Sequence, residues 1–178
     1  MKRILAFLLL LILLPITSLA NERFNMILHS DYIFLAEYSK ASQHEDTAIN
    51  TLKWVKNVDE RGKTTYQHNQ ANKFYLILDT DRFTGEITRI STAIKYRASG
   101  ELIISDKNVN RYFLPAAYRI LNMFESATQD EFLDVLERIG FMKMTSEVIM
   151  VAFYKNTTVM IQCDQPANML IFTCYYKK

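Results

Sequence analysis

Residues 147–176 read EVIMVAFYKNTTVMIQCDQPANMLIFTCYY, and this stretch decides the fold class. Much of it alternates with period two, the pattern of strands that bury one face. Val159, Ile161 and Cys163 share a face of a strand over Thr158–Cys163. Leu170, Phe172, Cys174 and Tyr176 share a face of the next, over Met169–Tyr176. Gln165-Pro166-Ala167-Asn168 makes the turn between them, and Lys155-Asn156-Thr157 joins the first to a strand over Glu147–Tyr154. Asn156-Thr157-Thr158 also fits a glycosylation acceptor pattern and is read as part of that turn.

Upstream of this meander stands the best-specified local element of the chain. Thr128-x-x-Glu131 is a capping box, in which the threonine hydroxyl and the glutamate each satisfy an orphan backbone N–H. Phe132, Val135, Leu136 and Ile139 form an apolar helical stripe that Gly140 ends. Residues 128–178 are therefore expected to form a helix plus a three-stranded antiparallel meander, too small to stand alone and so packed on what precedes it. That preceding part, 21–127, reads mostly as strand: Arg23–His29, Tyr32–Tyr38, Thr51–Val58, Lys73–Leu78, Ile87–Tyr96 and Glu101–Ile104. Asp59-Glu60-Arg61-Gly62, Asp79–Gly85 and Ala98-Ser99-Gly100 carry turn chemistry. Pro115 suits the first turn of a helix whose Ala117, Ile120, Leu121 and Phe124 fall on one face. The expected class is α+β, an antiparallel sheet with a packed helix, followed by the helix-plus-meander unit. Trp54 is expected in the sheet core.

The N-terminus supplies an address. Lys2-Arg3, the apolar run Ile4–Leu14 of 11 residues, Pro15 and the small-residue site Ser18-Leu19-Ala20 have the form of a bacterial signal peptide over residues 1–20. Eleven apolar residues are too few to span a bilayer. No cysteine follows Ala20 to carry a lipid anchor, so the mature chain is expected to start at Asn21 and to lack a membrane span. Cleavage takes two of the 21 basic residues and leaves 19, equal to the 19 acidic ones. A neutral surface has no global attraction for nucleic acid. The expected location is periplasmic or extracellular, at the cell surface included. There an even cysteine pair reads as a disulfide, here Cys163–Cys174, although a symmetric turn would not set the two directly opposite.

Leu52-Lys53-Trp54-Val55-Lys56-Asn57-Val58, Phe74-Tyr75-Leu76-Ile77-Leu78-Asp79 and the run Arg89–Ile103, with its Tyr96-x-x-x-Gly100, resemble the surface-adhesin protein E-like group of exported bacterial proteins. The resemblance covers roughly residues 23–125, with the Pro115 helix in the place of that family's proline-led C-terminal helix. It implies an antiparallel sheet backed by a helix, and a binding role without known enzymatic chemistry. Thr80 stands where the family has a cysteine, so the family disulfide is absent, and residues 128–178 lie outside the likeness.

Sharper chemistry has little support. Tyr75-Leu76-Ile77-Leu78-Asp79-Thr80-Asp81 looks like the strand-end Asp-x-Asp of haloacid-dehalogenase-type phosphotransferases, in which one carboxylate attacks phosphorus and Mg²⁺ offsets charge. The expected threonine comes one position late, at Thr84, and the parallel βα repeats of that fold are missing. A hairpin loop with Asp79 and Asp81 bonding nearby N–H groups explains the motif better. Oxygen ligands are too few for a calcium loop. His29-Ser30-Asp31 holds three triad residue types side by side, but neighbours on a strand face opposite ways. His44 and His68 have no metal-ligand spacing.

The functional expectation is an exported, non-enzymatic binding protein without a cofactor. Its partner would be host matrix, an envelope protein, or a toxin or enzyme. Candidate partner-binding residues are Asp79, Asp81, Arg82 and Phe83 in one loop, and Tyr154, Tyr175 and Tyr176, which cluster with Phe153 near strand ends, where core and exposed aromatic patch remain alternatives. The competing class is an immunity or inhibitor protein against a secreted toxin or cell-wall enzyme, presenting the Asp79–Gly85 loop. A hydrolase would need a cleft of convergent titratable groups.

Overall fold

Strand register carries the architecture of the computed structural model, which describes residues 30–44, 46–48, 54–67, 74–81, 83–97, 100–145, 149–164 and 166–176. The expected leader, the Arg23–His29 strand, His68, Arg82 and the Lys177-Lys178 tail lie outside them. In chain order the elements are α1 (Asp31–Ser42), β1 (Val55–Val58), β2 (Lys63–Gln67), β3 (Phe74–Thr80), β4 (Ile87–Lys95), α2 (Leu114–Glu125), α3 (Gln129–Arg138), β5 (Ile149–Tyr154), β6 (Thr157–Asp164) and β7 (Met169–Tyr176). Short 3₁₀ turns over Ile103–Ser105 and Phe141–Lys143, and a π-helical turn over Val109–Phe113, flank the two later helices.

The strands form one antiparallel sheet of order β1-β2-β3-β4-β7-β6-β5. The chain passes from its first part to its second at 127–128, between α2 and α3, yet strands from both sides share this sheet. The expected α+β class is the observed one, with the meander of residues 149–176 completing the sheet begun by β1–β4.

Period-two alternation decides which face is covered. Leu76 and Leu78 of β3, Ile90 and Ile94 of β4, Leu170 and Phe172 of β7, and Val159 and Ile161 of β6 are fully buried. They meet Phe34 and Tyr38 of α1, Ile120 and Leu121 of α2, and Val135 and Leu136 of α3 in one cluster. Phe172 lies at its centre, its ring 6.5 Å from Phe113 and 6.1 Å from Phe132. Trp54 packs on the edge of this core, 5.9 Å from the Tyr66 ring and 6.4 Å from Phe74.

Caps hold the helices as their sequences require. The Thr128–Glu131 box is complete: Thr128 N–H donates to Glu131 Oε2 at 2.8 Å, and Glu131 N–H to Thr128 Oγ1 at 3.2 Å. Gly140 follows α3 with φ 77°, a conformation that suits glycine. Glu125, at the end of α2, clamps the β5–β6 turn: its Oε1 accepts from Thr157 Oγ1 at 2.6 Å and from Asn156 N–H at 3.1 Å. Lys155 Nζ donates to the Glu125 carbonyl at 3.0 Å.

Three readings of the sequence are corrected. Tyr32–Tyr38 is helical, as part of α1, because Ser30 Oγ caps Ile33 N–H and Phe34, Leu35, Tyr38 and Ser42 fall on one buried stripe. Glu101–Ile104 is not a strand; Ile103 turns into the core at the start of a 3₁₀ turn. The Cys163–Cys174 disulfide is not formed. Cys174 pairs with Val159 and Cys163 with Leu170, so four residues, roughly 13 Å of strand, separate them, against the ~7 Å limit between bridged Cα atoms. One strand, Lys63–Gln67, escaped notice because it is short and carries only Thr64 and Tyr66 to the core side.

Asp31, at the first turn of α1, ties that helix to the sheet. Its Oδ2 accepts from Lys56 Nζ at 2.6 Å and from Tyr66 OH at 2.7 Å. Burial alone would raise its pKa, but the Lys56 and Tyr66 hydrogen bonds outweigh this and hold it below the ordinary carboxylate value. The stabilisation is therefore present above about pH 4 and lost as pH falls through the depressed folded value. Asp31→Asn is expected to cost about 1 kcal/mol in urea unfolding at pH 7, the pair being partly solvated, and the gap to the parent should close below about pH 4. A gap that persists unchanged in acid would exclude the charge as its source. For the cysteines, burial pushes the Cys174 thiol far above its ordinary pKa. Reductant should leave thermal unfolding unaltered, and a thiol reagent should label neither residue until denaturant is added.

Candidate functional site

The face of the sheet opposite the helices carries no helix among the described residues. Alternation puts Tyr75, Ile77 and Asp79 of β3 there, with Arg89, Ser91 and Ala93 of β4, Ile171, Thr173 and Tyr175 of β7, and Ile149, Val151 and Phe153 of β5. At its centre lie small residues: Ser91, Ala93 and Thr173 are almost wholly shielded by their neighbours, and Ser91 Oγ lies 2.9 Å from Thr173 Oγ1. This low floor has larger side chains on either side.

One rim is polar. Asp79, opposite Arg89 across β3–β4, pairs its Oδ2 with the Arg89 guanidinium, and Arg89 Nη1 donates to Tyr175 OH at 3.2 Å. Burial disfavours the Arg89 charge, but the Tyr175 hydroxyl and the Asp79 carboxylate together outweigh it and leave the guanidinium pKa raised. Asp79 Oδ1 is buried and has no hydrogen-bond partner. The group can order a surface.

The other rim is apolar. On β5, an edge strand, Ile149 is 62% exposed, Val151 53% and Phe153 67%. The opposite alternation, Met150, Ala152 and Tyr154, turns towards the helices. This edge has neither charge, Pro nor bulge, the devices with which sheets discourage strand addition.

Between the polar rim and solvent stands the β3–β4 loop. Asp81 Oδ1 accepts from Phe83 N–H at 2.8 Å and Thr84 N–H at 2.9 Å, and Gly85 turns with φ 72°. The loop thus presents Phe83, 92% exposed.

Of the residues singled out in the sequence, Asp79 and Tyr175 come together, and Asp81 and Phe83 lie in the adjoining loop. Tyr154 is separated from them: it is buried on the helix side, where Lys155 Nζ sits 4.9 Å from its ring. Tyr176 lies in β7 opposite Thr157. Phe153, read beside those tyrosines, is exposed on β5, whereas Arg89 and the exposed Ile149 and Val151 were missed. Arg89 carried no local signal, but the β5 row did, since Ile149–Tyr154 is apolar at every position, which a strand with one solvated face is not. Among the described residues, no three His, Cys, Asp or Glu side chains converge to hold a metal ion, and no helix is long and apolar enough to cross a membrane. Comparison with protein-family models, curated proteins and solved structures finds no match.

Asp79→Ala strips the half-buried Arg89 of its carboxylate and is expected to cost about 1–2 kcal/mol in urea unfolding, Arg89 remaining partly hydrated. Asp81→Ala, which removes two bonds in an exposed loop, should cost less than about 1 kcal/mol. Equal costs would mean that the Asp79–Arg89–Tyr175 group adds nothing beyond an ordinary turn.

Proposed function

We propose that this chain is an exported, non-enzymatic binding protein that engages a protein partner through the open face of its sheet and the β5 edge. The observation that carries this reading is the row Ile149, Val151 and Phe153, each more than half exposed on an edge strand. Main-chain N–H and C=O groups along such an edge can pair with an added strand, while alternate side chains select its sequence. The leader-like residues 1–20 support export. The likeness of Thr51–Leu121 to the surface-adhesin protein E-like group supports binding of envelope or host matrix proteins, and an antiparallel sheet backed by a helix agrees with it.

A second reading has its own observation. Phe83 is 92% exposed on a loop stiffened by Asp81, a shape suited to plugging the cleft of a secreted toxin or cell-wall enzyme, as an immunity or inhibitor protein does.

Two variants separate these readings. Val151→Lys puts a charge on the β5 edge, and Phe83→Ala removes the loop aromatic; both sites are exposed, so each should change stability by less than about 0.5 kcal/mol. Parent and variants are immobilised and exposed to solubilised matrix proteins, envelope extract and the secreted proteins of neighbouring bacteria. Val151→Lys is expected to lose about tenfold or more of the parent's affinity for the retained partner, with Phe83→Ala unaffected. The reverse result would make the chain a loop inhibitor. Undiminished binding by both variants would remove both surfaces from consideration.

A further inference from the structure

On the helix side, away from the open sheet face, a groove of about 580 Å³ runs between the start of α2 and the start of α3. Its volume lies within the range of small-molecule sites, roughly 300–1,000 Å³. Leu114, Tyr118, Phe132 and Leu133 give it an apolar lining. Phe132 and Tyr118 meet at 5.7 Å between ring centroids, and Leu133 is 38% exposed at the lip.

The mouth is built differently. The π-helical turn over Val109–Phe113, closed by the Leu114 N–H bond to the Val109 carbonyl, buries Val109 and Phe113 and leaves Arg111 outside. Such turns occur disproportionately at functional sites. Asn110 braces this one, its Nδ2 donating to the Ile104 carbonyl at 2.7 Å. Among the described residues that line the groove, Arg111 is the one cation and Asp46 the one anion. They pair in parallel, Nε to Oδ2 at 2.7 Å and Nη2 to Oδ1 at 3.2 Å, and both side chains are more than half exposed. A pair so hydrated exchanges partners readily. Arg111 is anchored in a continuous helix, whereas Asp46 sits in the irregular segment after α1, so Asp46 is the member that yields.

From this geometry we infer that the groove binds an amphiphile with a carboxylate head and an apolar body. The ligand carboxylate takes the face of Arg111 that Asp46 occupies, and the body lies along Tyr118, Phe132 and Leu133. Charge complementarity decides the sign of the head: a planar guanidinium matches a carboxylate through two parallel N–H bonds, which no neutral or cationic head can replace. Asp46 then serves as an internal stand-in for the ligand. The inference is independent of docking at β5.

The test is a titration of the isotopically labelled chain with decanoate, held below its aggregation concentration and followed by backbone amide shifts. Decanol and decyltrimethylammonium serve as comparators. Saturable shifts at Arg111, Gln129 and Leu133 are expected with decanoate. Arg111→Gln should weaken decanoate about tenfold or more while leaving decanol unaltered. Asp46→Asn, which removes the competitor, should tighten decanoate on the order of threefold. Both positions are exposed, and an unchanged amide spectrum away from the groove establishes that each variant is folded. Absence of saturable shifts, equal affinity for the comparators, or decanoate binding indifferent to Arg111→Gln would each overturn the proposal.

Discussion

The pairing of β4 with β7 is the contact on which the rest of the sheet depends. Seven residue pairs, from Arg89 with Tyr175 to Lys95 with Met169, join a four-stranded meander to a three-stranded one. Each meander alone has an apolar inner face too narrow to bury itself. Joined, they present a surface wide enough for α2, which packs on both β4 and β7 across the seam, and for α3, which packs on β5 and reaches β7 through Phe132. Phe172 makes this concrete: it belongs to β7, lies opposite Thr92 of β4, and takes the rings of Phe113 and Phe132 on its helix side. On the other side of the same seam, the Ser91–Thr173 hydrogen bond and the Asp79–Arg89–Tyr175 group fasten the two meanders. Bonds across this seam span 82 and 86 residues of sequence, and helix packing recovers what that loop closure costs in entropy.

Elements with a single dominant local signal were legible. The capping box with its apolar stripe located α3 almost to the residue, and Met169–Tyr176 is the strand expected from its alternation. Where two signals competed, the stronger composition misled. Tyr32, Ile33, Phe34 and Tyr38 have strand-favouring side chains, yet Ser30 and Asp31 supply a cap and first-turn charge, and Phe34, Leu35 and Tyr38 fall on one helical stripe. Tertiary burial overrides propensity here. The order of strands was not legible at all, because which strand the C-terminal meander would meet depends on packing across more than 80 residues.

The site was legible in pieces. Asp79 and Tyr175 stood out as residues, but only register could bring them to one guanidinium, and Arg89 carried no local mark. The cysteines show the opposite error. Their shared face was read correctly, but a disulfide needs the same height along a hairpin as well as the same side. The four-residue loop between β6 and β7 fixes that height and keeps the thiols apart. The groove under Arg111 was invisible to pattern, since a π-helical turn has no sequence signature and Asp46 arrives from a different segment.

Placing β7 inside the sheet, between β4 and β6, has a consequence for how the chain comes into being. A ribosome works in one direction, and the strand that unites the sheet is the last of the seven to emerge. Until residue 176 is clear, β4 has no partner on one side and α2 has only part of its floor. Until then the sheet stays short of its final shape, longer than in a chain built of neighbouring hairpins. Such a delay leaves the apolar faces of β4 and β5 in need of shelter meanwhile. Any premature stop within β7 would remove an interior strand and part the two meanders rather than trim the border of the sheet.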